Sequence, residues 1–335
     1  MLLKRTIRPP QFSSMLVGET LLHVRDLHVE YQTDHGPIRA VDGVSFSVQQ
    51  GEVLGLAGES GSGKSTIAHA LTRILRPPAI ITGGQVVFKD RDVLDMDRCA
   101  LEQFRWQEVS LVFQSAMNAL NPVMTIGDQI TDVIQAHLLM KKQTALARAA
   151  DLIKLVGMDT RCLDAYPHQL SGGMRQRAVI AIALALTPPL VILDEPTTAL
   201  DVVVQKEIMQ EIDALKNDMN LSILFITHDL SLLVEFATRI AVMYAGEIVE
   251  TAPARELFSH PAHPYTHGLM NSFPSITGDK VKLTGIPGAP PNMLDLPSGC
   301  RFHPRCAQAM PRCSEERPRL RRLEAEHSVA CHLYE

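Results

Sequence analysis

The sequence predicts an α/β protein with a mostly parallel central sheet, on three observations. Two apolar runs, Leu190 to Leu193 and Leu221 to Thr227, flank the amphipathic stretch Val203 to Asn217, the alternation expected of a sheet covered on both faces. A glycine-rich turn, Gly58 to Ser65, joins the strand-like segment Val53 to Ala57 to the apolar helical segment Ile67 to Leu75. At 335 residues, 46% of them apolar, the chain can bury one large core and still carry an appendage.

The elements follow in order. Residues 1–18 include Lys4, Arg5 and Arg8 but lack the apolar middle and small-residue cleavage site of a secretory signal, so a disordered tail is expected. Leu21 to Tyr31 and Gly43 to Leu56 alternate apolar and polar residues and break at glycines, so the folded part, 19–260, opens with a sheet. Gly83 to Phe88 reads as another strand. Ala100 to Val156 carries helical spacing with few strand signals, and Val179 to Leu186 reads as a buried helix, so a helical insert is expected over about 100–186. After His260 come Pro261, Pro264, Pro274, Pro287, Pro290, Pro291 and Pro297, which cannot continue a regular core; a separate C-terminal element, 261–335, is expected.

A formal net charge of -5 leaves no electrostatic footprint for a nucleic-acid partner. The longest apolar stretch, Ala178 to Leu193, is interrupted by Pro188 and Pro189 and ends in Asp194 and Glu195, so no membrane-spanning helix is predicted. Six cysteines without an export signal point to a reducing compartment, where clustered thiols hold metal more often than they pair.

Gly58-Glu59-Ser60-Gly61-Ser62-Gly63-Lys64-Ser65, between strand and helix, fits the phosphate-binding P-loop. Its glycines let backbone N–H groups turn inward around a β-phosphate, and the helix that starts there adds the positive end of its dipole. Lys64 reaches the β- and γ-phosphates, and the Ser65 hydroxyl suits Mg²⁺. Leu190 to Glu195 is an apolar strand ending in two carboxylates; Asp194 is expected to orient the Mg²⁺ shell and Glu195 to polarise the attacking water. A nucleoside triphosphatase follows.

Leu170-Ser171-Gly172-Gly173-Met174-Arg175-Gln176-Arg177, ahead of Asp194, resembles the signature motif of ABC-type ATPases. Gln114 after Ser110 to Phe113, Asp201 after Ala199-Leu200, and His228 after Ile226-Thr227 complete the order of that family's nucleotide-binding domain over about Leu21 to Phe258. The resemblance implies a P-loop NTPase (RecA-like) core with an antiparallel β subdomain and a helical insert. It also implies that Gly58, Ser60, Gly61, Ser62, Gly63, Lys64, Ser65 and Thr66 bind ATP, with Ser65, Gln114 and Asp194 at Mg²⁺. Ser171, Gly172 and Gly173 can donate to a second anion, which the resemblance implies is the nucleotide of a partner cassette. By the same resemblance Glu195, Gln114 and His228 are catalytic, Tyr31 stacks on adenine, and Asp201 communicates across the dimer.

His263-Pro264-Tyr265-Thr266 and Pro297 to Cys306 resemble the C-terminal region of the dipeptide, oligopeptide and nickel importer ATPases, as does Phe113-Gln114 leading to Leu120-Asn121-Pro122. Ser115-Ala116 departs from the acidic or small residue and proline of many relatives. Cys300, Cys306, Cys313 and Cys331 suffice for a zinc ion or a four-cysteine iron-sulfur cluster; their spacings of five, six and seventeen residues match neither common pattern. The resemblance favours a [4Fe-4S] cluster over zinc or free thiols.

The expected function is the ATP-binding subunit of an ABC importer of dipeptides or oligopeptides, peripheral to the cytoplasmic face of the cell membrane. Its expected partners are a second, related cassette subunit, two transmembrane permeases and an extracytoplasmic solute-binding protein. The alternatives are a soluble ABC ATPase uncoupled from transport and an importer of nickel or glutathione-like cargo; a non-catalytic subunit would predict damage at Lys64, Glu195, Ser171 or His228, and all are intact.

Overall fold

The computed structural model describes residues 18–114, 119–198, 200–271, 285–324 and 326–335. The N-terminal tail up to residue 17, Ala199 and the Ser115-Ala116 departure lie outside these residues.

The chain opens with two long antiparallel strands, β1 (Thr20–Thr33) and β2 (Gly36–Gln49), and then β3 (Val53–Ala57) leads through the glycine-rich loop into α1 (Lys64–Leu71). β4 (Ala79–Phe88) and the short β5 (Arg91–Asp92) return to the first sheet, whose order is β2-β1-β4-β5. The expected opening sheet is thus a separate antiparallel layer, and its inward residues, among them Leu22, Val24, Leu27, Val44 and Phe88, are buried.

Next come α2 (Arg98–Gln107), β6 (Val109–Val112), α3 (Ile126–His137), α4 (Lys142–Leu155) and α5 (Gly172–Ala183). Within the stretch read as helical with few strand signals, β6 is a strand: Val109, Ser110 and Val112 are buried and pair in parallel with β7 (Leu190–Asp194). Four residues are too few for any period to show against the helices on either side.

After β7 the chain continues through α6 (Val202–Met219), β8 (Ser222–Ile226), α7 (Leu230–Phe236), β9 (Arg239–Tyr244) and β10 (Glu247–Pro253). β9, β3, β8, β7 and β6 form a parallel array. Its strands are mostly apolar because both faces are covered. Leu54, Ile192 and Leu224 face the antiparallel layer, while Val53, Val191 and Phe225 face the helical side.

The C-terminal residues join the main sheet and core. After α8 (Ala254–Ser259) and α9 (Pro264–Met270) come α10 (Pro311–Glu315), β11 (Arg321–Arg322) and β12 (Ser328–Val329). β12 pairs with β10, so the larger sheet runs β11-β12-β10-β9-β3-β8-β7-β6. Tyr265 and Phe302 belong to the main core, and buried Arg301 is ion-paired with Asp42 and Glu247. Proline stops long elements but does not prevent two-residue strands and side chains from joining a core built by others. Among the described residues no helix is long and apolar enough to cross a membrane.

Candidate functional site

The site forms where the parallel strands end. β3 is wholly buried, and the chain leaves it through Gly58 (φ 146), Gly61 (φ 80) and Gly63 (φ 104). Glycine is required twice over, by the positive φ and by close approach: a Cβ on Gly58 would stand 2.3 Å from the Met243 carbonyl, and one on Gly63 2.2 Å from that of Ala40. No side chain caps α1, which leaves its first N–H groups open to an anion.

Lys64 is 5% exposed, and its ammonium donates to the carbonyl oxygens of Gly58 (2.8 Å) and Glu59 (2.9 Å) and to Ser62 Oγ (3.3 Å). Burial lowers its pKa, against the opposing pull of Glu195, Asp194 and Glu59. Ser65 Oγ donates to Asp194 Oδ1 at 3.1 Å, tying the start of α1 to the end of β7. Asp194 is 1% exposed, and burial raises its pKa despite Ser65, His69 and Lys64. A buried carboxylate beside a serine hydroxyl is a donor set suited to a hard divalent cation. Tyr31, on β1, places its hydroxyl 3.2 Å from Thr66 Oγ1, one residue beyond.

Glu195 takes a left-handed conformation, φ 48, and its N–H donates to the Ile226 carbonyl at 2.9 Å. Its carboxylate is shared: Oε1 lies 3.0 Å from His228 Nδ1, and Oε2 accepts from Gln114 Nε2 at 2.8 Å and Thr198 Oγ1 at 3.1 Å. Burial alone would raise its pKa, but hydrogen bonds to His228 and Thr198 outweigh that and hold it below the usual carboxylate range. The structure therefore gathers Gln114, Glu195 and His228 at one point, beside the Ser65–Asp194 pair. An ionised carboxylate so oriented can accept a proton from water.

Ser171, Gly172, Gly173 and Asp201 form a second group. Ser171 caps α5, its Oγ accepting from Met174 N–H at 3.3 Å, and Asp201 caps α6, accepting from Val203 and Val204 N–H at 3.1 and 3.0 Å. The two helix starts meet, because a Cβ on Gly173 would come within 2.7 Å of Val204 Cγ1. Val202 and Val203 beside them are 79% and 69% exposed.

Cys300, Cys306, Cys313 and Cys331 line one small cavity of about 10 Å³ together with His303 and His332, room for roughly one water. Burial raises the pKa of Cys300 to about 11 and also raises those of Cys306 and Cys331, the neighbouring thiols adding to it. As the side chains stand, among the described residues no group of three or more His, Cys, Asp or Glu is arranged to hold a metal ion. The expected cluster site is therefore not preformed; its thiols converge without reaching ligand geometry.

Sequence reasoning overlooked one contact of this site. Arg305 grips Glu59 inside the phosphate loop, and Tyr265 Oη accepts from the Glu59 N–H at 2.9 Å. Both lie in motifs read only as marks of resemblance, and nothing local to either links it to a residue more than 200 positions away.

Comparison with known proteins agrees with this geometry. The ABC transporter family model matches residues 41–198, and that of the oligopeptide/dipeptide transporter C-terminal region matches residues 249–313. A dipeptide transport ATP-binding protein, DppD, of Caldanaerobacter subterraneus subsp. tengcongensis is 43% identical over 317 residues, 94% of this chain and 97% of the relative. An oligopeptide transport ATP-binding protein, AppD, of Bacillus subtilis is 44% identical over 319 residues, 94% of this chain and 97% of the relative. Among solved structures, the dimeric bacterial ABC transporter cassette MJ0796 superposes with a TM-score of 0.63 at 29% identity, covering 70% of this chain and 99% of that one. By this identity and coverage and by both family models, the chain belongs to the ABC transporter ATP-binding proteins, in the branch that carries the oligopeptide/dipeptide transporter C-terminal region.

Proposed function

We propose that this ABC ATPase is the motor of a peptide importer, coupling ATP binding and hydrolysis to uptake of dipeptides or oligopeptides. The observation that carries the catalytic part is the shared carboxylate of Glu195, held by Gln114, Thr198 and His228 beside the phosphate loop. The cargo class rests on relatives that transport dipeptides and oligopeptides and on the shared C-terminal region.

Gly58, Ser60, Gly61, Ser62, Gly63 and Thr66 enclose the phosphates of ATP, Lys64 neutralises the β- and γ-phosphates, and Tyr31 stacks on adenine. Ser65, Asp194 and Gln114 would hold Mg²⁺, which when bound neutralises charge on the phosphate oxygens. Glu195 accepts a proton from water as the water oxygen bonds to the γ-phosphorus and the bond from that phosphorus to the β,γ-bridging oxygen breaks, yielding ADP and phosphate. His228 contacts the γ-phosphate. Ser171, Gly172 and Gly173 serve the nucleotide of a second, related cassette, and Asp201 couples the two sites. Val202 and Val203 favour this reading, since exposed apolar side chains beside the starts of α5 and α6 suit burial against another subunit.

Two permease subunits and a solute-binding protein complete the transporter, with this chain on the cytoplasmic face of the membrane. Replacing Glu195 by Gln should cut phosphate release at least ~100-fold while ATP binding persists; undiminished turnover would remove Glu195 from the mechanism.

The four cysteines are proposed to hold a [4Fe-4S] cluster. Their convergence on one cavity supports a shared site, although the thiols would have to turn from their present positions. Iron, zinc and acid-labile sulfide are to be measured per chain after anaerobic purification, with a Cys306→Ser/Cys313→Ser variant beside it. About four irons and four sulfides, lost in the variant, are expected. One zinc makes the site a structural clip, and no metal at all ends the proposal.

A further inference from the structure

The phosphate loop is held from behind by the C-terminal extension. Glu59, its second residue, receives both arms of the Arg305 guanidinium, Nη1 to Oε2 at 2.7 Å and Nη2 to Oε1 at 3.0 Å. Two further donors of Arg305 are also used: Nε donates to the Pro287 carbonyl at 2.9 Å, and Nη1 reaches Tyr244 Oη at 3.3 Å. The guanidinium lies over the rings of Tyr244 and Phe302, 5.8 and 6.0 Å from their centroids. From the main-chain side, Tyr265, itself fully buried, accepts the Glu59 N–H. One loop residue is thus fixed by side chain and backbone together.

Arg305 is not what fastens the extension. β12 pairs with β10, His327 bonds the buried Glu250 carboxylate, and Arg301 and Arg317 both reach Asp42 and Glu247. With those attachments in place, a part-buried bidentate pair aimed at a glycine-rich turn has its consequence in the turn. Gly58, Gly61 and Gly63 leave the loop with much backbone freedom, and ordering it around a triphosphate costs free energy on binding. A fixed Glu59 lowers that cost by preorganisation.

We propose that Arg305 is a positioning residue for nucleotide binding: acting only through Glu59, it holds the phosphate loop in the shape that receives ATP. Arginine suits the task because its planar fork fixes direction as well as charge, which a lysine ammonium does not.

The test uses the full chain and measures the dissociation constant of MgATP by competition with a fluorescent ATP analogue, with Lys64→Ala as the non-binding control. Arg305→Ala, Arg305→Lys and Glu59→Gln are each expected to weaken MgATP about fivefold, roughly 1 kcal/mol at 1.36 kcal/mol per tenfold. Because one residue works through the other, Arg305→Ala/Glu59→Gln should bind no more weakly than the weaker single variant. In ATPase assays the Arg305 variants should raise KM by a similar factor and leave kcat within about twofold. Should Arg305→Ala not fold, Arg305→Lys and Glu59→Gln decide the matter. Unchanged affinity in those two, multiplicative weakening in the double variant, or a loss confined to kcat would each overturn the proposal.

Discussion

His263 shows how a single buried group contributes to the acid sensitivity of this protein. It is 1% exposed, and its Nδ1 accepts the Tyr265 N–H at 3.0 Å, capping α9 while packing on Phe302. That acceptor exists only on the neutral ring, and burial lowers the pKa to about 3 from 6.5. Below pH 6.5 the unfolded chain binds a proton that the folded chain refuses, so this contribution is complete above that pH and is lost as pH falls toward 3. Between pH 7 and pH 5 the loss is about 2 kcal/mol. Denaturant titrations at both values should show it in the parent, and His263→Asn, which can still cap, should reduce that pH dependence by about the same amount. Glu195 makes a different residue-scale point. Its left-handed backbone costs about 1 to 2 kcal/mol, which the N–H bond to Ile226 and three side-chain partners offset. Removing one of those partners with Gln114→Ala should leave the fold intact and lower kcat about tenfold or more, read by phosphate release at saturating ATP.

Between elements, the contact of α5 with α6 is set by one missing side chain. Gly173 leaves space for Val204, and a Cβ there would meet Val204 Cγ1 at 2.7 Å. Gly173→Ala should therefore cost about 1 to 3 kcal/mol in denaturant unfolding, as overpacking does. Because the obstacle is a side chain and not backbone, adding Val204→Ala should recover most of the loss; no recovery would mean that the glycine serves backbone conformation instead. Legibility in the sequence also divides by element. β3, β7 and β8 were readable because strands covered on both faces carry unbroken apolar runs. α6 was readable because one stripe, Ile208, Met209, Ile212 and Leu215, is buried at helical spacing. β6, β11 and β12 were not, since two to four residues hold no period, and the partners that tie β6 and β12 into the sheet come from distant sequence.

Across the whole molecule, the chemistry that was legible lies in contiguous motifs, whereas the join between cassette and extension depends on partners far apart in sequence. Gly58 to Ser65 carries its own logic in eight adjacent residues, but Arg305 and Glu59 stand 246 positions apart and belong to no common pattern. Phe302 is the residue through which that join can be tested. It is 3% exposed and packs against Tyr244 of β9 at 5.2 Å and Tyr265 of α9 at 5.4 Å, so cassette and extension share its burial. Phe302→Ala should cost about 3 to 5 kcal/mol, the usual range for a buried aromatic truncated to alanine. Where that cost appears distinguishes two architectures. Trp106, the single tryptophan, packs on the main core and reports the cassette by fluorescence, while alkylation of buried Cys313 reports the extension. A shared core requires both probes to give one denaturant midpoint in the parent and to shift together in the variant. An extension that merely leans on a finished cassette would expose Cys313 early and leave the Trp106 transition where it was. Coincident movement is the expected result, because Phe302 contributes to the same buried cluster as Val242, Tyr244 and Val249 of the central sheet.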